Sequence, residues 1–318
     1  MRTASKAMLF SLVSLTLVAC ETTSDPGALK LQAMSFANSG WSEPVNLGPV
    51  VNSTAGDNNP TLSPDGLSLY FASDRAGGLG GTDLWVARRA SPDSPWEAPS
   101  NVGAPISSTS ADGAPVLSID GHLLFFHTNR PGGHGGVDIW MAHRTDPKDD
   151  FGWEAPVNLG PDVNTPDDEL GPEYVKSDGG GALYFGRGNQ LLQKVDLYRA
   201  EVGPKGTTRG SALPVVELND PAANDLAPTV RTDGRETFFF STRAGGFGAS
   251  DIWVSTRPSV HAPWSPPENW GGPPLNTAFG EQQPDLSRDG RTLLFVSTRP
   301  GGSGGTDIWM STRTPSGH

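Results

Sequence analysis

The chain is poor in cysteine and in positive charge. Cys20 is the only cysteine among 318 residues, so no disulfide can form within the chain. Lys and Arg number 23 against 35 Asp and Glu, which gives a formal net charge of −12 at pH 7. Because nucleic-acid phosphates require a basic protein face, this balance argues against a nucleic-acid partner.

Long apolar runs are also scarce, and the one clear run lies at the N-terminus. Arg2 and Lys6 precede the apolar run Ala7–Ala19, which is too short to span a bilayer core of about 30 Å. A short apolar run behind positive charges is typical of a secretory signal peptide. We therefore predict that residues 1–19 are an export signal.

This run ends in Leu17-Val18-Ala19-Cys20, which resembles the lipobox of bacterial lipoproteins. The resemblance implies that Cys20 is lipidated and anchors the protein in a membrane, with residues 20–40 as a tether. Glu21 then favours the outer membrane facing the periplasm, with the cell surface as the alternative. A chance cysteine behind an ordinary signal peptide is the competing interpretation.

The rest of the chain is rich in glycine and proline, which recur at fixed offsets and so mark turns. The Asp of a D-I-W-like segment returns five times at intervals of 55 to 58 residues. Each unit contains a Pro before an S-x-D-G-like turn, an apolar run, the D-I-W segment and a W-x-x-P segment. These four pieces read as four short strands, which is typical of propeller blades.

The five repeats predict an all-β fold, a five-bladed β-propeller with four-stranded antiparallel blades. It spans residues 41–313, and residues 314–318 form a tail. The first segment, 41–48, is a lone fourth strand, and the chain ends on a third strand. We expect the N-terminal strand to join the last blade and to close the ring of a monomeric propeller.

The repeat resembles the WD40-like β-propeller repeat of the TolB type. The matching features are the P-x-L-S-x-D-G turn, the apolar second strand with its S-x-R end, and the D-I-W third strand. The resemblance implies a propeller fold. The TolB propeller usually has six blades, so its role in envelope trafficking is not carried over to this chain.

Glycine-rich loops such as Gly77-Gly78-Leu79-Gly80-Gly81 connect the second strand of a blade to the third. A phosphate-binding loop would need a Lys-Ser/Thr pair before a helix, and neither is present. A calcium-binding repeat of the G-G-x-G-x-D type recurs every nine residues, whereas these loops lie about 55 apart. We interpret them as tight structural turns.

A ring of acidic residues accompanies the repeat. Three residues before the Pro of each first strand stand Asp57, Asp112, Glu169, Asp225 and Glu281. The second strands end near Arg75, Arg130, Arg187, Arg243 and Arg299. The third strands begin at Asp83, Asp138, Asp196, Asp251 and Asp307.

Three roles are open for the first set of acids. Structural ion pairs with the arginines are favoured, and the arginines and third-strand acids are interpreted as structural partners on the same rim. Alternatively, the five acids converge on the channel mouth and bind Ca²⁺, another cation or a basic ligand. Catalysis is the third role, but five equivalent acids lack the asymmetry that an acid and base pair requires.

Two blades break the symmetry of the repeats. Blade 2 contains His127 and His134, which with Asp112 would form a His-His-Asp metal site, although drift among the repeats is favoured over it. Blade 3 has lost the glycine pattern in residues 188–195 and carries Ser211 where other blades carry Trp. Both a protein contact and loss of repeat quality explain that change.

The sequence contains no nucleophile constellation and no cofactor motif. Together with the acidic charge and the symmetric repeat, this predicts a non-catalytic, membrane-anchored scaffold of the cell envelope that binds a protein partner. The alternative is an envelope carbohydrate-active enzyme or lectin that uses the acidic channel mouth.

Overall fold

The computed structural model describes residues 40–177, 179–189, 194–203, 205–270 and 272–314. These residues form twenty strands in five four-stranded antiparallel sheets. The strands are β1 (Val45–Asn46), β2 (Asp57–Leu62), β3 (Ser68–Ser73), β4 (Asp83–Arg88), β5 (Ser100–Asn101), β6 (Asp112–Leu117), β7 (Leu123–Thr128), β8 (Asp138–His143), β9 (Val157–Asn158), β10 (Asp168–Ser177), β11 (Gly180–Asn189), β12 (Lys194–Val202), β13 (Leu213–Pro214), β14 (Asp225–Val230), β15 (Glu236–Ser241), β16 (Asp251–Thr256), β17 (Glu268–Asn269), β18 (Glu281–Leu286), β19 (Thr292–Ser297) and β20 (Asp307–Thr312).

The sheets confirm the predicted five-bladed propeller. Blades 1 to 4 contain β2–β5, β6–β9, β10–β13 and β14–β17, each in sequence order from the inside outwards. Blade 5 has the order β18-β19-β20-β1, so the first strand of the chain is the outer strand of the last blade. The predicted closure of the ring is thereby confirmed.

The closing strand is held by both backbone and side chains. Val45 pairs with Met310 and Asn46 with Trp309. The N–H of Ser42 donates to the carbonyl of Thr312 at 2.8 Å. The strand therefore joins the N-terminal end of the propeller to its last blade and gives blade 5 the same four strands as the other blades.

The tryptophans of the W-x-x-P segments are packing residues. In four blades an arginine guanidinium lies over the indole, 4.0 to 4.6 Å from the ring centroid. The pairs are Arg89–Trp96, Arg144–Trp153, Arg257–Trp264 and Arg313–Trp41. Blade 3 has neither partner, because Val202 and Ser211 occupy the corresponding positions.

Every innermost strand contains a β-bulge that the sequence pattern does not predict. The predicted first strands begin near the Pro, but the observed strands begin at the acid three residues before it, or one residue earlier in blade 3. The residue between them adopts a left-handed φ of 44° to 55° in all five blades. These residues are Asn59, Ala114, Gly171, Ala227 and Gln283. The extra residue in each strand reverses the alternation of side chains beyond it.

Three predicted features lie outside the described residues. They are the signal peptide 1–19, the lipidated Cys20 with nearly all of its tether, and residues 315–318 of the tail. Within the part of the chain that the structure describes, no helix is long and apolar enough to cross a membrane.

Candidate active site in the central channel

The third-strand acids fasten the glycine loops. Asp83 Oδ2 accepts hydrogen bonds from the N–H groups of Leu79 (2.8 Å) and Gly80 (3.1 Å). A Cβ added to Gly78 would lie 2.0 Å from the same oxygen, so this position requires glycine. The loops of blades 2, 4 and 5 repeat the arrangement through Asp138, Asp251 and Asp307. In blade 3, Asp196 instead accepts from Lys194 Nζ at 2.6 Å.

The five first-strand acids are fully buried in ion pairs with the five arginines. The nitrogen–oxygen distances are 2.5 to 3.1 Å. The pairs are Asp57–Arg75, Asp112–Arg130, Glu169–Arg187, Asp225–Arg243 and Glu281–Arg299. The arginine also reaches back into the preceding loop, as where Arg75 Nη2 donates to the carbonyl of Val51 at 2.6 Å. Each pair therefore ties the entry loop of a blade to its second strand.

Glu169 is a rim acid with a displaced pKa. Burial raises its pKa to about 7, while the Thr165 hydroxyl and N–H and the guanidinium of Arg187 oppose the shift. Even so, Glu169 Oε1 receives hydrogen bonds from Thr165 Oγ1 at 2.6 Å and Arg187 Nε at 2.9 Å. Its carboxyl is held as firmly as its four counterparts.

None of the five acids lines any of the three cavities described below along the channel. The three residues of the predicted His-His-Asp metal site each make other contacts. Asp112 pairs with Arg130, His134 lies in a glycine loop, and His127 Nδ1 accepts a hydrogen bond from the N–H of Gly171 at 3.2 Å. Among the described residues, no three His, Cys, Asp or Glu side chains form a metal-binding group.

The channel itself has three parts. On the side of the glycine loops lies an upper cavity of about 920 Å³, including the open space at its mouth. A constriction follows, formed by the five bulges and by Pro60, Pro115, Pro172, Pro228 and Pro284. On the side of the Asp-Gly turns lies a lower cavity of about 600 Å³, measured in the same way.

Two carboxyl groups stand between the constriction and the lower cavity. Glu173 and Asp285 line both, and they come from the innermost strands of blades 3 and 5. They lie four residues beyond the rim acids Glu169 and Glu281, after the bulge. The equivalent residues in the other blades are Thr61, Val116 and Thr229.

The two carboxyls have unequal surroundings. Asp285 accepts two hydrogen bonds, from the Thr61 hydroxyl at 3.0 Å and the Leu62 N–H at 3.2 Å. Glu173, which is 9% exposed, accepts from the N–H of Val230 at 3.1 Å. Within the described residues, neither has an ion pair.

These surroundings displace both pKa values upwards. Burial raises the pKa of Asp285 to about 7, against the hydrogen bonds from Thr61 and Leu62. Burial also raises the pKa of Glu173 well above its usual range, and the negative charge of Asp285 adds to the shift. Because Glu173 receives one hydrogen bond and Asp285 two, the charged form of Glu173 is the less stabilised of the two, and such a pair can supply an acid and a base.

The lower cavity offers further groups for a polar ligand. Its wall includes the ring of Tyr174, which stacks on Phe125 with centroids 5.1 Å apart. Ser63, Thr232 and Ser287 contribute hydroxyls to the same wall. An aromatic face among hydroxyl groups suits a ligand that combines apolar C–H surfaces with many hydroxyls.

Sequence reasoning missed Glu173 and Asp285. The acids that repeat in every blade drew attention, whereas these two occur in only two of the five repeats. A signal was present, since a carboxyl at the position after the Pro replaces Thr or Val in blades 3 and 5 alone. Without knowledge of the bulge, that position could not be assigned to the channel.

Comparison with solved structures shows which known proteins share this fold. A thermostable family-43 glycoside hydrolase matches with a TM-score of 0.57 and 14% identity, over 85% of this chain and 92% of that chain. The α-L-arabinofuranosidase PaAbf62A from Podospora anserina, solved with cellotriose, matches with a TM-score of 0.55 and 14% identity, over 84% and 96%. The endo-arabinase from Bacteroides thetaiotaomicron VPI-5482 matches with a TM-score of 0.56 and 16% identity, over 87% and 98%. No family model and no curated protein matches the sequence.

These findings correct two expectations from the sequence. The assignment to the WD40-like TolB type is wrong, because the propellers that resemble this chain in three dimensions are glycoside hydrolases. The expected non-catalytic, protein-binding scaffold is corrected with it. At 13 to 16% identity the likeness establishes the fold alone, so the chemistry must come from this chain's own residues.

Proposed function

We propose that this protein is a carbohydrate-active enzyme that hydrolyses glycosidic bonds at the central channel. The observation that carries the proposal is the pair Glu173 and Asp285, two carboxyls without ion pairs in a channel where the rim acids take no part. The fold that the chain shares with glycoside hydrolases supports it.

The titration of the pair assigns the roles. Glu173 has the more strongly raised pKa and acts as the general acid, which gives its proton to the oxygen of the leaving group. Asp285 ionises near pH 7 and acts at the anomeric carbon, as a nucleophile or as the base for a water molecule. The anomeric configuration of the first product distinguishes these two courses.

The two roles set the pH dependence. Asp285 must be ionised, so the rate rises as the pH passes through about 7. Glu173 must be protonated, so the rate falls once the pH exceeds its own raised pKa. We therefore expect a bell-shaped profile with its optimum above neutrality.

The test is turnover on a panel of aryl glycosides and of neutral polysaccharides, with arabinans included. We expect Glu173→Gln and Asp285→Asn each to lower kcat by at least 10³-fold while the protein remains folded. Thr229→Val is the matched control, because Thr229 occupies the same position in blade 4 and blade 2 already has Val116 there. No turnover across the panel, or equal activity of the carboxyl variants and the control, would contradict the proposal.

We also propose that the enzyme is exported and anchored through Cys20. The signal-like run Ala7–Ala19 and the lipobox-like residues before Cys20 support this. A Cys20→Ser variant should move from the membrane to the soluble fraction, and unchanged fractionation would argue against the anchor.

A further inference from the structure

The upper cavity differs in chemistry from the rest of the channel. Among the described residues, no charged side chain lines it. One part of its wall is apolar, formed by Leu170, Val195, Leu226 and Phe240, and the other is formed by amide and hydroxyl side chains. The cavity is thus suited to an uncharged ligand with apolar and polar parts.

Four of the five bulge residues line this cavity, namely Asn59, Gly171, Ala227 and Gln283. At two of them the N–H donates to a side chain of the preceding blade: Asn59 N–H to Gln283 Oε1 at 2.8 Å, and Gly171 N–H to His127 Nδ1 at 3.2 Å. The five bulges share one left-handed φ, so the N–H of each leaves the ladder in the same direction.

Two adjacent bulges receive no side-chain acceptor. By the arrangement at Asn59, the acceptor for Ala227 would come from Gly171 and the acceptor for Gln283 from Ala227. By the arrangement at Gly171, they would come from Gly186 and Phe240, the second-strand counterparts of His127, and neither has a side-chain acceptor. Gly171 has no side chain, and a Cβ there would lie 3.0 Å from the Cα of Ala227. Ala227 carries only a methyl group. The N–H groups of Ala227 and Gln283 therefore face the upper cavity side by side.

We propose that the upper cavity binds the acetamido group of an N-acetylated amino sugar. The acetyl oxygen accepts hydrogen bonds from the N–H groups of Ala227 and Gln283, and the methyl group packs on the apolar wall by Leu226 and Phe240. A carboxylate is a poorer occupant, because no cationic side chain in the described lining would balance its charge. His127 stays neutral, since burial lowers its pKa to about 4.

The surrounding side chains favour a sugar as the bearer of this group. Asn224, Thr242 and Gln282 lie at the cavity wall and can exchange hydrogen bonds with ring hydroxyls. The proposal does not rest on hydrolysis at Glu173 and Asp285, because the constriction separates those carboxyls from the upper cavity.

A binding measurement without turnover tests the proposal. Calorimetric titration of the whole protein with di-N-acetylchitobiose is compared with titration of cellobiose and chitobiose, which lack the acetyl groups. We expect at least 10-fold tighter binding of the acetylated disaccharide. N-acetyllysine amide serves as the arm for an acetamido group without a sugar and should bind at least 10-fold more weakly than the disaccharide.

One substitution adds a side-chain acceptor like those at the bulges of Asn59 and Gly171. Ala227→Gln should place a side-chain carbonyl on the Gln283 N–H, as Gln283 does for Asn59, and position 283 shows that glutamine fits this φ. We expect at least a 10-fold loss of binding with an unchanged melting temperature. Ala114→Gln is the matched control at the equivalent bulge of blade 2, outside the upper cavity, and should bind as wild type does.

A second variant keeps the test decisive if Ala227→Gln does not fold. Phe240→Ala removes the apolar wall at a position where blade 1 has Ala72, and should weaken acetamido binding at least 5-fold. Equal affinity for acetylated and non-acetylated sugars, tighter binding of N-acetyllysine amide, or full binding by both variants would overturn the proposal.

Discussion

The rim and the channel of this propeller both contain buried carboxyl groups, but only those at the rim are paired with arginines. At the rim, Asp57 and its four counterparts are each neutralised by an arginine at 2.5 to 3.1 Å. In the channel, Glu173 and Asp285 receive only neutral donors, and burial displaces their pKa values upwards. Burial also raises the pKa of Glu169 at the rim, but there Arg187 opposes the shift. Repetition therefore marks the residues that hold the blades, and departure from repetition marks those that remain available for chemistry.

The largest expected effect comes from breaking a rim pair. Arg243→Ala leaves the buried Asp225 without its cation, and should lower the free energy of unfolding by about 3–5 kcal/mol. Urea denaturation measures it. The control is Arg199→Ala, whose pair with Glu201 is exposed on both sides and should contribute about 0–1 kcal/mol. Equal effects of the two variants would remove the distinction between rim and surface.

The next effect concerns the acids that hold the glycine loops. Gly78→Ala would displace the Asp83 carboxylate from the N–H groups of Leu79 and Gly80, at a cost of about 2 kcal/mol in the free energy of unfolding. Gly81→Ala, in the same loop with open space around its Cβ, is the control in thermal unfolding. A loop that accepted both alanines equally would show that Asp83 has no such role.

In the channel, replacing a carboxyl group should raise the free energy of unfolding instead of lowering it. The folded state retains a proton on Glu173 at a pH where the unfolded chain releases it, so stability declines as the pH rises above the unfolded value. Glu173→Gln removes this dependence and should stabilise the protein at pH 8 more than at pH 4. Denaturation curves at both pH values check it. A loss of stability at pH 8 would contradict the unpaired state of Glu173.

The smallest expected effect concerns the pKa of Asp285 in the pair that it forms with Glu173. Thr61→Val removes one of the two donors to Asp285 and should raise its pKa further, by up to about one unit. The acidic limb of the pH–rate profile should then move to higher pH. Thr229→Val, which leaves both donors of Asp285 in place, should leave that limb unmoved.

The sequence supports the fold far better than the site. The interval of about 55 residues and the lone strand before the first full repeat are sufficient to predict five blades and their closure, because each strand keeps its pattern in every copy. The bulge at Asn59 and its equivalents has no comparable sign, since only the blade 3 copy is glycine. As that bulge decides which side chains face the channel, Glu173 and Asp285 could not be located from the pattern alone.

We expect Glu173 and Asp285 to hold protons at a pH where ordinary carboxyls have lost them. The most direct measurement is a ¹³C NMR titration of the side-chain carboxyl carbons, with Glu173→Gln and Asp285→Asn used to assign the two signals. We expect a midpoint near pH 7 for Asp285 and one well above the usual carboxyl range for Glu173. Midpoints near pH 4 for both would contradict it.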